Sequence, residues 1–121
     1  MPTITAPLTE ANPSLPEISV RVDRATLGQR SWQATADDGM PFGLEPAAAL
    51  RDGTTIFQST TARYVIKQRP EPLLEVSLEL APSAAAGIGW AIGNAHLELS
   101  AEPARMLTPD VPATRALLDR L

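Results

Sequence analysis

His96 is the single histidine in a chain of 121 residues that contains no cysteine. A neutral imidazole is a strong ligand for nickel, copper and zinc, and it also gains or loses a proton near neutral pH. Since thiolate ligands are missing, almost any transition-metal or acid-base chemistry in this protein must use His96. A lone histidine at a helix-to-strand junction is more often structural than a ligand, so its neighbours decide between the two roles.

Other residue patterns are poor candidates for chemistry. The spacing of Gly87, Gly89 and Gly93 does not fit a phosphate-binding loop, because it falls inside a predicted helix and no lysine follows it. Glu75 and Glu79 share the polar face of a predicted strand, which indicates a solvated surface rather than a catalytic pair. No serine lies in a G-x-S-x-G context. The sequence therefore predicts a protein that is not an enzyme and that uses no organic cofactor.

The overall composition limits the class of protein and its partners. The chain is 44% hydrophobic and 20% charged, the balance of a globular protein, with a net charge of -4. Nucleic acids and anionic membranes need a basic surface, so neither is a predicted partner. Residues 1–16 lack the cationic and apolar regions of a secretory signal, and no stretch approaches the ~20 apolar residues of a membrane span. We therefore expect a soluble, cytoplasmic protein.

The first half of the chain is predicted to be rich in β-structure. Four prolines in residues 1–16 disfavour helix and sheet, which predicts a flexible N-terminal tail. From Glu17 onward, apolar and polar residues alternate with the period of a half-buried strand. Similar short segments follow, separated by turn signals such as Asp37-Asp38-Gly39. These features predict a β-rich domain over residues 17–70.

The second half, residues 71–121, is predicted to be a ferredoxin-like domain. Pro70-Glu71-Pro72 is the boundary, and it forms a link about which the two domains can move. The predicted order is strand, helix, two strands and helix, which is a split βαβ unit without the usual fourth strand. The segments are residues 74–80, 82–92, 95–99 and 105–107, with a last helix that begins near Pro112. The predicted fold class is α+β.

The first helix of this domain is expected to position the histidine. Gly93-Asn94 is a helix stop that places His96 at the corner between helix and strand. Gly89 and Gly93 lie four residues apart on one predicted face, where another backbone can approach closely within the domain or across a dimer. Trp90 beside them is predicted to be either a core or an interface residue.

Four segments together resemble one known family. They are Arg30–Thr35 with its Asp37-Asp38-Gly39 turn, Leu50-Arg51-Asp52-Gly53, Glu71–Val76 and Ile92-Gly93-Asn94-Ala95-His96. The last is the most specific, since it is similar to an L-G-N-R-H motif. The chain resembles the UreE family of urease accessory proteins over roughly residues 18–121.

The resemblance implies a function. Members of the family are homodimeric nickel chaperones with a β-rich N-terminal domain and a ferredoxin-like metal-binding domain. The histidine of the motif binds metal at the dimer interface, which implies that His96 is a ligand for nickel, or for zinc or copper. The implied partners are a second copy of the chain and the urease apoprotein or other urease accessory proteins. A dimer contact would also cover the sheet edge left by the missing strand.

Several positions depart from the family pattern. Ala95 replaces the usual arginine, Ala91 stands where a second histidine often occurs, and Asp110 stands where the family has an aspartate-histidine element. Two imidazoles at a two-fold axis fall short of the four to six donors that nickel takes, so water, Asp110 or a second dimer must complete the ligand set. The alternative is a UreE-like scaffold that has lost its metal role and binds a protein partner through its β-domain.

Overall fold

The computed structural model describes residues 1–121 and has an α+β fold. Nine short strands form three sheets of three strands each, and three helices accompany them. The chain divides into two compact units, Met1–Pro70 and Glu71–Leu121. No helix is long and apolar enough to cross a membrane.

The first unit contains two sheets and one short helix. Its elements are β1 (Thr3–Ile4), β2 (Glu17–Val22), α1 (Arg24–Leu27), β3 (Trp32–Thr35), β4 (Pro41–Leu44), β5 (Thr55–Gln58) and β6 (Arg63–Gln68). One sheet has the order β1-β4-β3 and the other has the order β2-β6-β5. The predicted hairpin is confirmed, because β3 and β4 pair antiparallel and Gly39 has a φ of 90° in the turn between them.

The hydrophobic core of the first unit is made of apolar side chains from both of its sheets. Alternation in β2 buries Val20 and Val22, as the sequence period predicts. Phe42 of β4 and Tyr64 of β6 meet edge to face, with ring centroids 5.1 Å apart. The Tyr64 hydroxyl donates to the Asp38 carboxylate at 2.6 Å, so the hairpin turn is tied to the second sheet.

Two features of this unit differ from the prediction. Residues 1–16 were expected to form no strand, but Thr3–Ile4 pairs in parallel with Gly43 and Leu44 and Ile4 is buried. The unit was also expected to lack helix, but Asp23 caps α1 by accepting a hydrogen bond from the Thr26 N–H at 2.7 Å.

The second unit has one antiparallel sheet and two helices. Its elements are β7 (Leu73–Ser77), α2 (Pro82–Asn94), β8 (Ser100–Ala101), β9 (Arg105–Pro109) and α3 (Pro112–Asp119). The order is β7-β9-β8, and β9 is antiparallel to both of its neighbours. Thus β7 and β8 run in the same direction with β9 between them.

The strand predicted over residues 95–99 is wrong. The chain forms β8 only at Ser100–Ala101, because the residues directly after α2 are used to end the helix. The Leu97 N–H donates to the Ile92 carbonyl at 3.1 Å, so it is not available to a sheet.

Candidate metal centre

The C-terminal end of α2 places His96. Two hydrogen bonds close the helix: the His96 N–H donates to the Gly93 carbonyl at 3.0 Å, and the Leu97 N–H donates to the Ile92 carbonyl at 3.1 Å. This pair of bonds is the Schellman motif, which requires a left-handed backbone at the residue that follows the helix cap. That residue is His96, and the cap is Ala95.

His96 has a φ of 58° and is the only residue other than glycine with a positive φ. Glycine is the usual residue at this position, because a Cβ atom makes the left-handed backbone unfavourable. The His96 side chain is exposed at the surface. His96 therefore does lie at the end of α2, but the predicted corner with a strand is wrong, because α2 continues through Gly93 and Asn94 and the next strand begins only at Ser100.

One face of α2 is buried and the other is open. Ile92 is fully buried, whereas Trp90 is 70% exposed. A Cβ placed on Gly89 would touch Leu99 and Met106 of the same unit, at 3.7 and 3.8 Å. A Cβ placed on Gly93 would meet no atom within 4 Å. Within one copy of the chain, therefore, Gly89 packs against side chains of its own unit and Gly93 packs against nothing, so a close approach of another backbone at Gly93 stays a prediction for a dimer.

Asp110, the second predicted ligand, lies directly after β9 and is bound to Arg115 of α3. Both carboxylate oxygens accept from the guanidinium, from Nε at 2.6 Å and from Nη2 at 2.8 Å. The hydrogen bond from Arg115 lowers the pKa of Asp110 below its usual value, although partial burial opposes the shift. This role of Arg115 was not predicted from the sequence, even though an arginine in the first turn of a helix is well placed to reach back to such a residue.

The chain brings together no group of three or more histidine or carboxylate side chains that would hold a metal ion. His96 and Asp110 therefore do not belong to a complete ligand set within one copy of the chain. A nickel or zinc site with four to six donors would need ligands from water or from another molecule.

The first unit carries a shallow polar cleft of about 360 Å³. Its walls include Arg21 of β2, Gln33 and Thr35 of β3, and Arg69 after β6. Arg21 is held by Asp37 at 3.0 Å, and the same contact raises the pKa of the guanidinium. This cleft was not predicted, because its residues come from separate strands that only the packing of the two sheets brings together.

Comparison with known proteins finds a distant similarity over part of the chain. The chain is 27% identical over 81 residues to the urease accessory protein UreE of Bifidobacterium longum subsp. infantis. The matched region covers 67% of this chain and 36% of the length of that relative. No protein-family model matches the chain. The comparison supports a distant UreE-like relation.

Proposed function

We propose that this protein is a UreE-like urease accessory protein, and not an enzyme, that carries nickel between two copies of the chain. Nickel is the cargo, and the His96 imidazole of each copy is the central ligand. The relation to a urease accessory protein supports the general role. The observation that best supports a metal site at His96 is the left-handed backbone of this residue at an exposed helix end.

The backbone of His96 supports a functional role for its side chain. A left-handed conformation costs a residue with a Cβ atom roughly 1–2 kcal/mol, and glycine would close the same helix end without that cost. Strained backbone of this kind is concentrated at functional sites. The backbone hydrogen bonds of the helix end also fix the direction of the Cα–Cβ bond of His96.

A second copy of the chain would supply the missing donors. One imidazole is a weak site for nickel, whereas two across a two-fold axis give a pair of nitrogens on one metal ion. The exposed face of α2 offers a contact surface next to His96, because Trp90 projects there and Gly87 and Gly93 leave space around it. Exposed tryptophan is typical of the centre of an interface.

Asp110 is the second proposed ligand. Since Arg115 now holds both of its oxygens, Asp110 would bind metal only after it releases that guanidinium. We therefore propose that His96 carries most of the affinity and that Asp110 adds a weaker oxygen donor.

Nickel titration by calorimetry tests the metal site. We expect one nickel ion per two chains at neutral pH and no binding to His96→Gly. Glycine keeps the left-handed helix end, so loss of binding in this variant reports the imidazole rather than unfolding. Asp110→Asn is the matched control and should bind nickel with only modestly lower affinity. Unchanged affinity in His96→Gly would contradict the proposal.

Sedimentation tests the dimer separately. The parent protein should be dimeric at tens of micromolar, a concentration range typical of modest interfaces. Trp90→Ala should shift it to monomer, whereas Leu80→Ala removes a 42% exposed side chain elsewhere in the same unit and should not. A parent protein that stays monomeric with nickel present would contradict the dimeric site.

A second candidate function is a protein-binding scaffold without a metal role. The ion pair between Asp110 and Arg115 favours it, as does the polar cleft of the first unit. On this alternative the parent protein binds no nickel, and Arg69→Glu in the cleft weakens binding to a urease apoprotein or accessory protein. The nickel titration distinguishes the two candidates.

A further inference from the structure

The polar cleft of the first unit lies between the free edges of β2 and β3. The two edges are joined by one backbone hydrogen bond, from the Asp37 N–H to the Ser19 carbonyl at 2.9 Å. Beyond this bond the strands run in opposite directions along the walls of the cleft, which include residues 21–23 and 33–35. In the two sheets, β2 pairs with β6 and β3 pairs with β4. The cleft is therefore an antiparallel pair of strands that separates after one hydrogen bond.

Both walls direct backbone hydrogen-bonding groups into the cleft. Along β2, the Arg69 N–H donates to the Val22 carbonyl, so the even-numbered residues face β6. Along β3, the Ala36 N–H donates to the Met40 carbonyl, so the even-numbered residues face β4. The N–H and C=O groups of the odd-numbered residues therefore point into the cleft. These residues are Arg21 of β2 and Gln33 and Thr35 of β3.

The connection from β2 to β3 is too long to pair the two strands as a tight hairpin. Asp23 follows β2 and caps α1, where its carboxylate accepts from the Thr26 N–H at 2.7 Å. The chain then uses residues 24–31 before β3 begins at Trp32. A two-residue turn would hold the strands in register, whereas this connection lets them separate. Unpaired strand edges are places where another extended segment can add to a sheet.

The cleft has an apolar base. Val22 is buried and Ala34 is half-buried, and both are packed in or against the core of the unit. The other residues that line the cleft are exposed, so these two form its base. The side chains of an inserted strand would point alternately towards this base and towards solvent. A small apolar side chain therefore suits the inward position, and three residues of each strand are available for pairing.

Arg69 supplies a cationic side chain at the rim. Asp37 holds the Arg21 guanidinium through Nε and Nη2, whereas the Arg69 side chain is exposed and is not held by an ion pair. Hydrogen bonds from Thr26 lower the pKa of Asp23, and the charge of Arg69 adds to this shift. The Asp23 carboxylate is used to cap α1. A carboxylate on the solvent side of an inserted strand would therefore pair with Arg69.

We propose that this cleft binds an extended segment of a partner protein, which inserts as a strand between β2 and β3. The strand joins the two sheets of the first unit into one, in the order β1-β4-β3-segment-β2-β6-β5. A small apolar side chain of the segment lies over Val22 and Ala34, and an acidic side chain meets Arg69. The inference rests on the protein-binding role of the second candidate function, and it does not depend on the nickel site.

Hydrogen exchange followed by NMR on the full chain tests the geometry. The probe is a hexapeptide that alternates valine with glutamate and is blocked at both ends. We expect the amides of Arg21, Gln33 and Thr35 to exchange quickly in the free protein and to become protected when the peptide is added. The amides of Val20 and Ala34 should be protected in both states. Peptide binding that leaves the three cleft amides fast would overturn the proposal, as would their protection in the free protein.

Peptide variants test the backbone and the charge separately. The same peptide with alternate backbone nitrogens methylated should bind at least about tenfold more weakly, since it cannot pair with both strands. A peptide with lysine in place of glutamate should bind more weakly than the acidic one. Equal binding of the acidic and basic peptides would contradict the choice of an acidic partner.

A protein variant tests the cation at the rim. Arg69→Gln should weaken binding of the acidic peptide by about two- to fivefold, because it removes the charge that meets the glutamates. Arg51→Gln removes the same charge from an exposed position outside the cleft and should have no effect. If Arg69→Glu weakens binding of a urease accessory protein while the cleft amides stay fast in that complex, the protein-binding role stands and strand insertion is excluded.

Discussion

The backbone of His96 combines a helix end with a candidate ligand, and the two roles can be separated by substitution. The helix end needs a left-handed residue, for which glycine is the most favourable. The ligand role needs the imidazole, which glycine lacks. His96 is therefore a less favourable residue for this helix end than glycine would be.

The His96→Gly variant should be more stable than the His96→Ala variant. Both variants lack the imidazole, but only alanine keeps a Cβ atom at a φ of 58°. We expect the free energy of unfolding of His96→Gly to exceed that of His96→Ala by about 1 kcal/mol. Urea denaturation at neutral pH without metal measures this difference. Equal stability of the two variants would show that the left-handed backbone carries no cost.

The hydrogen bond between Tyr64 and Asp38 should make stability depend on pH. The Tyr64 hydroxyl and the Met40 N–H lower the pKa of Asp38 below its ordinary value of 3.8. A carboxyl group whose pKa is lowered by folding stabilises the folded chain above its ordinary pKa. This contribution is lost as the pH falls through the lower, folded value.

Tyr64→Phe tests this contribution while it keeps the ring that packs against Phe42. Its melting temperature should be lower than that of the parent at neutral pH. The difference should narrow as the pH falls below about 3.8, the ordinary value for Asp38. Thermal unfolding followed by circular dichroism from pH 7 to pH 2 measures it. A difference that stays constant over this range would contradict the assigned cause.

At the scale of elements, two buried threonines of the second unit provide a matched pair. Thr114 of α3 is fully buried and its hydroxyl has no hydrogen-bond partner. Thr108 of β9 is equally buried, but its hydroxyl donates to the Glu98 carbonyl at 2.7 Å. A buried hydroxyl without a partner costs stability, whereas a bonded one contributes to it.

Replacement of each threonine by valine should change stability in opposite directions. Thr114→Val should raise the free energy of unfolding by about 1 kcal/mol, because it removes an unpaired polar group with little change in shape. Thr108→Val should lower it by about 1 kcal/mol, because it removes the hydrogen bond from the hydroxyl to the Glu98 carbonyl. Chemical denaturation of both variants gives the comparison. A loss of stability in Thr114→Val would indicate that the hydroxyl does have a partner in solution.

The strands and turns that were predicted correctly are those whose formation depends on residues close together in the sequence. The period-2 pattern from Glu17 and the Asp37-Asp38-Gly39 turn depend on neighbouring residues, and the strands and the hairpin form as expected. The two-residue strand at Thr3–Ile4 forms only because β4 is available far along the chain. The short helix α1 had a visible signal in its Asp23 cap, but four residues are too few for a helical period.

The site was predicted less completely than the fold. The lone histidine and the Gly-Asn segment indicate a helix end, and the structure places His96 there. The left-handed backbone was not predicted, because Gly93 and Asn94 are themselves favourable stop residues and the helix continues through both. The partner of Asp110 was missed because Arg115 comes from the following helix, and its contact depends on how that helix begins.

At the scale of the whole molecule, buried side chains are unevenly distributed. A cluster of twelve buried residues, from Ile4 to Ile66, lies within the first unit. The buried apolar residues of the second unit are Ala91, Ile92 and Met106. Regions with few buried apolar contacts open more easily than well-packed ones.

Amide exchange of the whole chain should therefore differ between the two units. We expect the amides of β7, β9 and α2 to exchange at least about tenfold faster than those of β6 and β4, a ratio that corresponds to about 1.4 kcal/mol of opening free energy. Exchange followed by mass spectrometry on peptic fragments measures this in the dilute, metal-free protein. Uniform protection across both units would contradict it.

The parallel pairing of β2 with β6 sets an order of events during synthesis. Glu17 of β2 is opposite Arg63 of β6, so β2 has no ladder until most of the first unit has left the ribosome. The β3–β4 hairpin needs only its own turn and can form much earlier. Contacts between residues distant in sequence close slowly, because the intervening chain must lose its freedom first. The hairpin can therefore form before the core of the first unit is complete. Val20 and Val22 of β2 stay exposed to solvent in the nascent chain until β6 has been synthesised and pairs with β2.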